Sequence, residues 1–311
     1  MGENKELLEK YLVYCSEQKR LDEKTVRAYG IDLRQFFQMY EDKGVDEINR
    51  TDIEEYIRTL HRRFKPRTVK RKVASVKAFF GYLEYKNRIG RTPWYKLYTR
   101  FREPQILPRV IPLQKIECLL RNIYTGIRSG KTEYKRKNAL RDAAVCELLF
   151  ATGMRISELC ALKERDIDLL ERKILIWGKG AKERIIHIGN EEIVRILDEY
   201  RNSYREQIRE GAPFFVNQAG NPFSDQAIRR MIRRYAQNVG IESPLTPHMF
   251  RHTFATSLLD AGVDIRYIQG MLGHSSIHTT EIYTHVSMAK QRDILNTMHP
   301  RNEFQIEADG R

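Results

Sequence analysis

Acid is nearly missing from one stretch of this chain: between His61 and Arg102 fourteen Lys or Arg residues accompany a single carboxylate, Glu84. Long apolar runs are missing too. No stretch of about eighteen apolar residues occurs, which excludes a spanning helix, and the polar, helically periodic start MGENKELLEKYLVYC is unlike a secretory leader. The four cysteines, Cys15, Cys118, Cys146 and Cys160, lie far apart without a CxxC pair, so neither a disulfide framework nor a zinc knuckle is supported. A reducing cytoplasm suits them, and a cytoplasmic location is expected. The SGK at 129–131 lacks the upstream glycine and the following Ser/Thr of a phosphate-cradling loop. In HMFRH, Met249 stands where a zinc protease of HExxH type carries its glutamate base. No metal and no cofactor are expected.

What the chain does have is length and positive charge. With 311 residues, 41% hydrophobic and 31% charged, it can bury one or two cores. Its 55 Lys and Arg against 41 Asp and Glu give a formal +14, a balance that favours a polyanionic partner. A solvated basic face is the bland alternative; one acid in the 42 residues from 61 to 102 weighs against it.

The first hundred residues read as helices, because their apolar residues recur at three and four. Val26, Tyr29, Leu33, Phe36 and Tyr40 form one stripe. Thr51 with Glu54 predicts a capping-box start for a helix bearing Ile53, Tyr56, Ile57 and Leu60. RTVKRKVASVKAFFGYLEYKNRIG sets Val69, Val73, Val76, Phe80 and Leu83 on one side and Lys70 and Lys77 on the other, ending near Gly90. FREPQILPRVIP, with three prolines, reads as a linker over 101–112. Beyond it, KNALRDAAVCELLFATG predicts an amphipathic helix stopped by Gly153, and RKILIWGKGAKERIIHIG two short strands around a glycine-rich turn. The predicted fold is mainly α with a small β-sheet in the second domain.

Four short segments carry candidate chemistry. In LTPHMFRHTFATSLLDAG, Thr246 is the predicted N-cap and Pro247 the first helical residue, and the helix runs to about Asp260. His248 and Arg251 then share one face, while Phe250, Phe254 and Leu258 anchor another. A helix N-terminus attracts anions, and a guanidinium fork matches two phosphate oxygens. By itself such a pair could be surface decoration or a satisfied core contact. FATGMRISELCAL places Arg155 just after a helix-ending glycine. GKGAKE carries Lys179 on a hairpin, with Lys182 an equally basic neighbour. MLGHSSIHTTEIYTHV supplies His274 and, in a following helix, Tyr283, a residue that taken alone is more often a packed aromatic than a nucleophile.

Taken together, ATGMRISEL, GKGAKER, HMFRH, LGH and a tyrosine nine residues after His274 resemble the tyrosine recombinase (integrase) family over essentially the whole chain. The resemblance implies a helical, SAM-like core-binding domain at 1–100, the linker at 101–112, and a catalytic domain at 113–311, the two domains gripping duplex DNA. It implies Tyr283 as nucleophile, Arg155 and Arg251 as clamps on the scissile phosphate, Lys179 as proton donor to the leaving oxygen, His248 as acid/base and His274 as a further phosphate donor. The chemistry is consistent with that set. Phosphoryl exchange spreads negative charge over oxygens that fixed cations can stabilise, and a tyrosine of pKa about 10 is only roughly 0.1% ionised at neutral pH, so it needs a base and a positive field. One phosphodiester is exchanged for another, so no ATP is required.

HVSMAKQRDILNTMHPR, with Val286, Ala289, Ile294 and Met298 nearly in register before His299 and Pro300, resembles the Xer-type C-terminal helix that docks into a neighbouring subunit. The alternative is packing on its own domain. A head-to-tail contact that closes implies a tetramer on two DNA sites, made of one recombinase or of two related ones. The stretch RNIYTGIRSGKTEYKRKN is longer and more basic than Xer proteins show there. With no arm-binding domain ahead of the first helix, the compact Xer or simple-integrase type is expected rather than the phage-lambda type. Two competing readings share the motifs: a type IB topoisomerase, which relaxes DNA with the same nucleophile, and a non-catalytic DNA-binding regulator.

Overall fold

The computed structural model of the protein describes residues 2–97, 109–178, 183–273 and 288–305. The chain divides into two compact units, Met1–Ile106 and Leu107–Arg311.

Among the described residues, the α-helices of the first unit are α1 (Gly2–Val13), α2 (Glu23–Met39), α3 (Arg50–Arg63) and α4 (Pro66–Tyr85). The expected start of α3 at Thr51 moves two residues back. Asn49 accepts from the backbone of Thr51 at 2.9 Å and Asp52 at 3.3 Å, while the Asp52 carboxylate accepts from the Asn49 N–H at 2.9 Å. The box is therefore Asn49 with Asp52, a stronger cap than a threonine offers. Helix α4 starts on Pro66 and stops at Tyr85 rather than near Gly90, because Asn87 turns the chain with a φ of +52°. Val69, Val73, Val76, Phe80 and Leu83 are buried as their spacing predicts, against Leu33, Phe36 and Tyr56. Lys70 and Lys77 are exposed. Between them Lys72 is buried, its Nζ donating at 3.1 Å to Asp32, which also accepts from Ser75 Oγ at 2.9 Å and from Arg71.

The second unit is arranged around one helix. Helix α5 (Leu113–Ser129) precedes α6 (Glu133–Thr152), then come α7 (Ile156–Ala161), the strands β1 (Ile167–Asp168), β2 (Lys173–Trp177) and β3 (Glu183–His187), and the helices α8 (Glu191–Ser203), α9 (Asp225–Asn238), α10 (Pro247–Asp260), α11 (Ile265–Leu272) and α12 (Met288–Thr297). Helix α6 is not amphipathic as expected: every residue from Ala139 to Thr152 is buried, with α5, α8 and α10 packed around it. An all-round buried helix shows no period in burial, and the charges that give it a polar-looking sequence are paired inside. Asp142 meets Arg141 and Arg234, and Glu147 meets Arg301.

The two predicted strands pair antiparallel, Ile174 opposite Ile186 and Trp177 opposite Glu183, and β1 adds a third strand to β2. Ile174, Ile176 and Ile186 face the core. In the segment expected to be a linker, Ile111 is buried and its N–H donates to Thr253 Oγ1 at 2.8 Å, so that position belongs to the second unit's core.

The C-terminal helix corrects its expected register. Ile294 and Leu295 are buried in their own domain, Met298 is exposed, and Leu295 presses so closely on Gly189 that a Cβ there would meet its carbonyl oxygen at 2.3 Å. Val286 lies outside the described residues. After α12, His299 and Arg301 turn inward. The His299 ring packs on Phe150 and Phe254, and Arg301, fully buried, bonds Glu147 at 3.0 Å and Glu192 at 2.5 Å. Burial pushes the His299 imidazole down to about 4, so it stays neutral at physiological pH.

Candidate active site

Where α6 ends, Gly153 adopts a left-handed φ of +58°. A side chain there would be strained in backbone and would meet Phe254 at 2.7 Å and Leu272 at 2.9 Å, so glycine is required twice over. The chain then turns through buried Met154 and delivers Arg155 to the N-cap of α7. Glu158, one turn on, accepts from the Arg155 N–H at 2.8 Å and from its Nη1 at 2.7 Å. The same carboxylate takes a forked pair from Arg184 of β3, at 3.1 and 2.8 Å. Burial favours the protonated form of Glu158, yet the hydrogen bonds from Arg184 and Arg155 outweigh it and hold the carboxyl below its usual range.

Arg251 reaches the same place from α10. Thr246 and Pro247 occupy the predicted N-cap and first-turn positions, although the Thr246 side chain makes no capping bond, and the helix ends at Asp260 as its sequence suggests. Phe250, Phe254 and Leu258 are fully buried, which fixes the rotation of the helix and turns Arg251 inward to 6% exposure. Its Nη1 donates to Gly153 O at 2.9 Å and its Nη2 to Leu272 O at 2.6 Å. These carbonyls terminate α6 and α11, where helix dipoles place partial negative charge. Arg155 Nη2 donates to the next carbonyl along, Gly273 O, at 3.3 Å. The two arginines thus converge on consecutive carbonyls at the end of α11. Burial, and then repulsion from Arg155, push the Arg251 guanidinium down to about 10, with Glu158 opposing and Arg184 adding to the shift. It remains a cation at neutral pH.

His248 lies in the first turn of α10, exposed, three residues before Arg251. Partial loss of hydration lowers its pKa, followed by the charges of Arg229, His252 and Arg251, with Asp225 pulling the other way. The imidazole is therefore neutral at pH 7 and able to accept a proton. Lys179, its neighbour Lys182, His274 and Tyr283 lie outside the described residues. Of the expected set, the structure brings Arg155 and Arg251 together and sets His248 on the same helix as Arg251.

Three participants were missed in the sequence. Glu158 and Arg184 lie within ATGMRISEL and GKGAKER with no local sign of their role, and Arg229 lies on α9, outside all of the motifs. The signal was available in RRMIRR, whose Arg229, Arg230, Arg233 and Arg234 crowd one short helix.

What this arrangement can do is hold an anion. Among the described residues, two of the five Arg251 N–H groups are taken by carbonyls, and beside it Arg155 and Arg184 share one carboxylate, that of Glu158. Comparison with known proteins agrees in kind. Residues 120–290 match the family described as phage integrase, and residues 8–87 match the phage integrase N-terminal SAM-like domain. The chain is 55% identical over 294 residues to a tyrosine recombinase of Agathobacter rectalis, covering 94% of this chain and 96% of that protein. It is 35% identical over 306 residues to the tyrosine recombinase XerD of Listeria innocua, covering 95% and 99%. In fold it is similar to a XerH site-specific recombinase bound to palindromic difH substrate, with a TM-score of 0.68 at 21% identity over 93% of this chain and 81% of that one. It is likewise similar to a lambda integrase (75–356) dimer bound to a COC' core site, with a TM-score of 0.66 at 18% identity over 87% and 94%.

Proposed function

The chain belongs to the phage integrase family of tyrosine recombinases, and on that premise we propose how its residues cut and rejoin DNA. It is a tyrosine-type site-specific recombinase of Xer type. Tyr283 attacks the scissile phosphorus, a 3′-phosphotyrosyl bond forms, and the 5′ oxygen leaves as a hydroxyl. Arg155 and Arg251 clamp the non-bridging oxygens. His248 handles the proton of the nucleophile, Lys179 protonates the leaving oxygen, and His274 donates a further hydrogen bond to the phosphate.

The observation that carries this reading is the pair of guanidiniums held on the consecutive carbonyls of Leu272 and Gly273. Fixed cations cost no reorganisation when charge develops on the phosphate, which is the main device such chemistry needs. Neutral His248 supports the proton-handling role.

The substrate is a duplex DNA site, and the basic stretch from His61 to Arg102 supports the N-terminal unit as a DNA-binding module, joined to a catalytic unit that already includes Ile111. Strand exchange requires four active subunits on two sites, from this chain alone or with a related recombinase; an assembly named among the structural relatives, a lambda integrase tetramer on a Holliday junction, supports that. A cytoplasmic location fits a protein acting on DNA, and among the described residues no helix is long and apolar enough to cross a membrane. A relaxing topoisomerase is disfavoured by kinship with recombinases. The test is covalent trapping on a nicked duplex carrying the target site: the protein forms an SDS-resistant adduct and Tyr283→Phe forms none while still binding DNA. An adduct that survives the substitution places the nucleophile elsewhere.

A further inference from the structure

We propose that Arg184 is a positioning residue for DNA cleavage: it acts through Glu158 to hold Arg155 on the scissile phosphate with its charge available. The inference rests on the recombinase reading above.

Three features of one side chain carry it. Arg184 issues from β3 toward the core beside Ile186 and is 11% exposed in its side chain. Its Nη1 and Nη2 fork onto both oxygens of Glu158, and its Nε donates to Met271 O at 2.7 Å. Each oxygen of that carboxylate is shared with Arg155, Oε1 with the Nη1 and Oε2 with the backbone N–H. Finally, Gly273 lies against the Arg184 head: a Cβ would meet Nη1 at 3.1 Å and Cδ at 3.2 Å. Gly273 is also the residue whose carbonyl accepts from Arg155. Arg184 therefore braces the Arg155 side chain from both its anchor points, the carboxylate and the carbonyl.

The charge arithmetic explains why a second arginine is needed. A buried carboxylate paired with Arg155 alone would neutralise it, and a neutralised pair adds little to a developing phosphate charge. With Arg184 sharing Glu158, the group of three carries a net positive charge and Arg155 keeps its attraction for the phosphate. Orientation follows from the same bonds. The planar fork matches both carboxylate oxygens and a carbonyl at once, which a lysine ammonium on its flexible stem cannot do. A displacement of about 1 Å in such a group can cost on the order of 10²-fold in rate.

A salt bridge that only stabilises the domain predicts different behaviour, and full-length Arg184→Lys separates the two. Single-turnover adduct formation on a nicked duplex should fall about 10- to 100-fold while DNA affinity stays within about threefold. In an Arg155→Lys background, the same Arg184→Lys step should have little further effect, because the route through Arg155 is already lost; that non-additivity is the signature of coupled groups. A 5′-phosphorothiolate, whose sulfur leaves without a proton donor, should relieve Lys179→Ala and leave the Arg184→Lys defect in place. Glu158→Gln should reproduce the rate loss and its non-additivity, and so serves if Arg184→Lys does not fold. Unchanged cleavage in folded Arg184→Lys, or in Glu158→Gln where Arg184→Lys does not fold, an equal fold loss with and without Arg155, or relief by the sulfur leaving group would each overturn the proposal. Should the unsubstituted protein form no adduct, the recombinase reading itself fails; an adduct with normal Arg184→Lys kinetics overturns the positioning role alone.

Discussion

Each unit buries charge in matched pairs, but Asp32 in the first and Arg251 in the second are held in opposite ways. In the first, Asp32 is surrounded by Arg71, Lys72 and the Ser75 hydroxyl, so the carboxylate and its buried lysine answer one another within the core. In the second, Arg251 is equally hidden but rests on two carbonyl oxygens and has two other arginines for neighbours. A structural charge is matched where it lies, whereas the charge proposed to meet a ligand is oriented by the partial charges of two carbonyls. The cost of the second arrangement is visible in the depressed pKa of Arg251.

The contrast can be broken first at Asp32. Asp32→Ala leaves Lys72 buried with Gln35 as its remaining acceptor and should destabilise the first unit by about 3–5 kcal/mol, read by denaturant unfolding, with cleavage per folded molecule unchanged. Arg251→Ala should do the reverse. Cleavage falls about 10²–10³-fold as read by trapping, yet stability moves little. The charge-assisted bonds lost are worth about 1.5–3 kcal/mol each, and the desolvation penalty relieved with them is several kcal/mol. A large drop in stability would make Arg251 a structural charge after all.

Gly153→Ala tests whether the carbonyls matter. Backbone strain at φ +58° costs about 1–2 kcal/mol, and the clash with Phe254 moves the Gly153 oxygen, so cleavage should fall with stability. Gly211, at φ +74° with nothing near its would-be Cβ, is the control: alanine there should cost strain alone. The smallest effect is in pH. On the proposed role of His248 as a base in its neutral form, and with its pKa lowered from 6.5, the cleavage rate should be level above that pH and decline only below it. Arg229→Gln removes one of the lowering charges and should shift the acid limb to higher pH.

Much of this was legible in sequence where one residue type has one use. Gly153 as a stop, Pro247 as a first-turn residue and the strand pair flanking the glycine-rich turn are dictated by local backbone chemistry, and they came out at their positions. Helix α6 was misjudged because its polar residues suggested an exposed face; their partners Arg234 and Arg301 lie 92 and 154 residues away, and no local pattern announces them. Glu158 and Arg184 were hidden for the same reason. A charged residue inside a motif shows its type, but only folding shows that one carboxylate is shared between two side chains, Arg155 and Arg184.

The inward turn of the tail has a practical side. Arg301 is sealed against Glu147, and Glu147 belongs to the helix whose last carbonyl steadies Arg251. Any tether, bead or affinity handle fused close behind Phe304 would pull on that helix, so immobilised versions of this enzyme are better anchored through the opposite terminus.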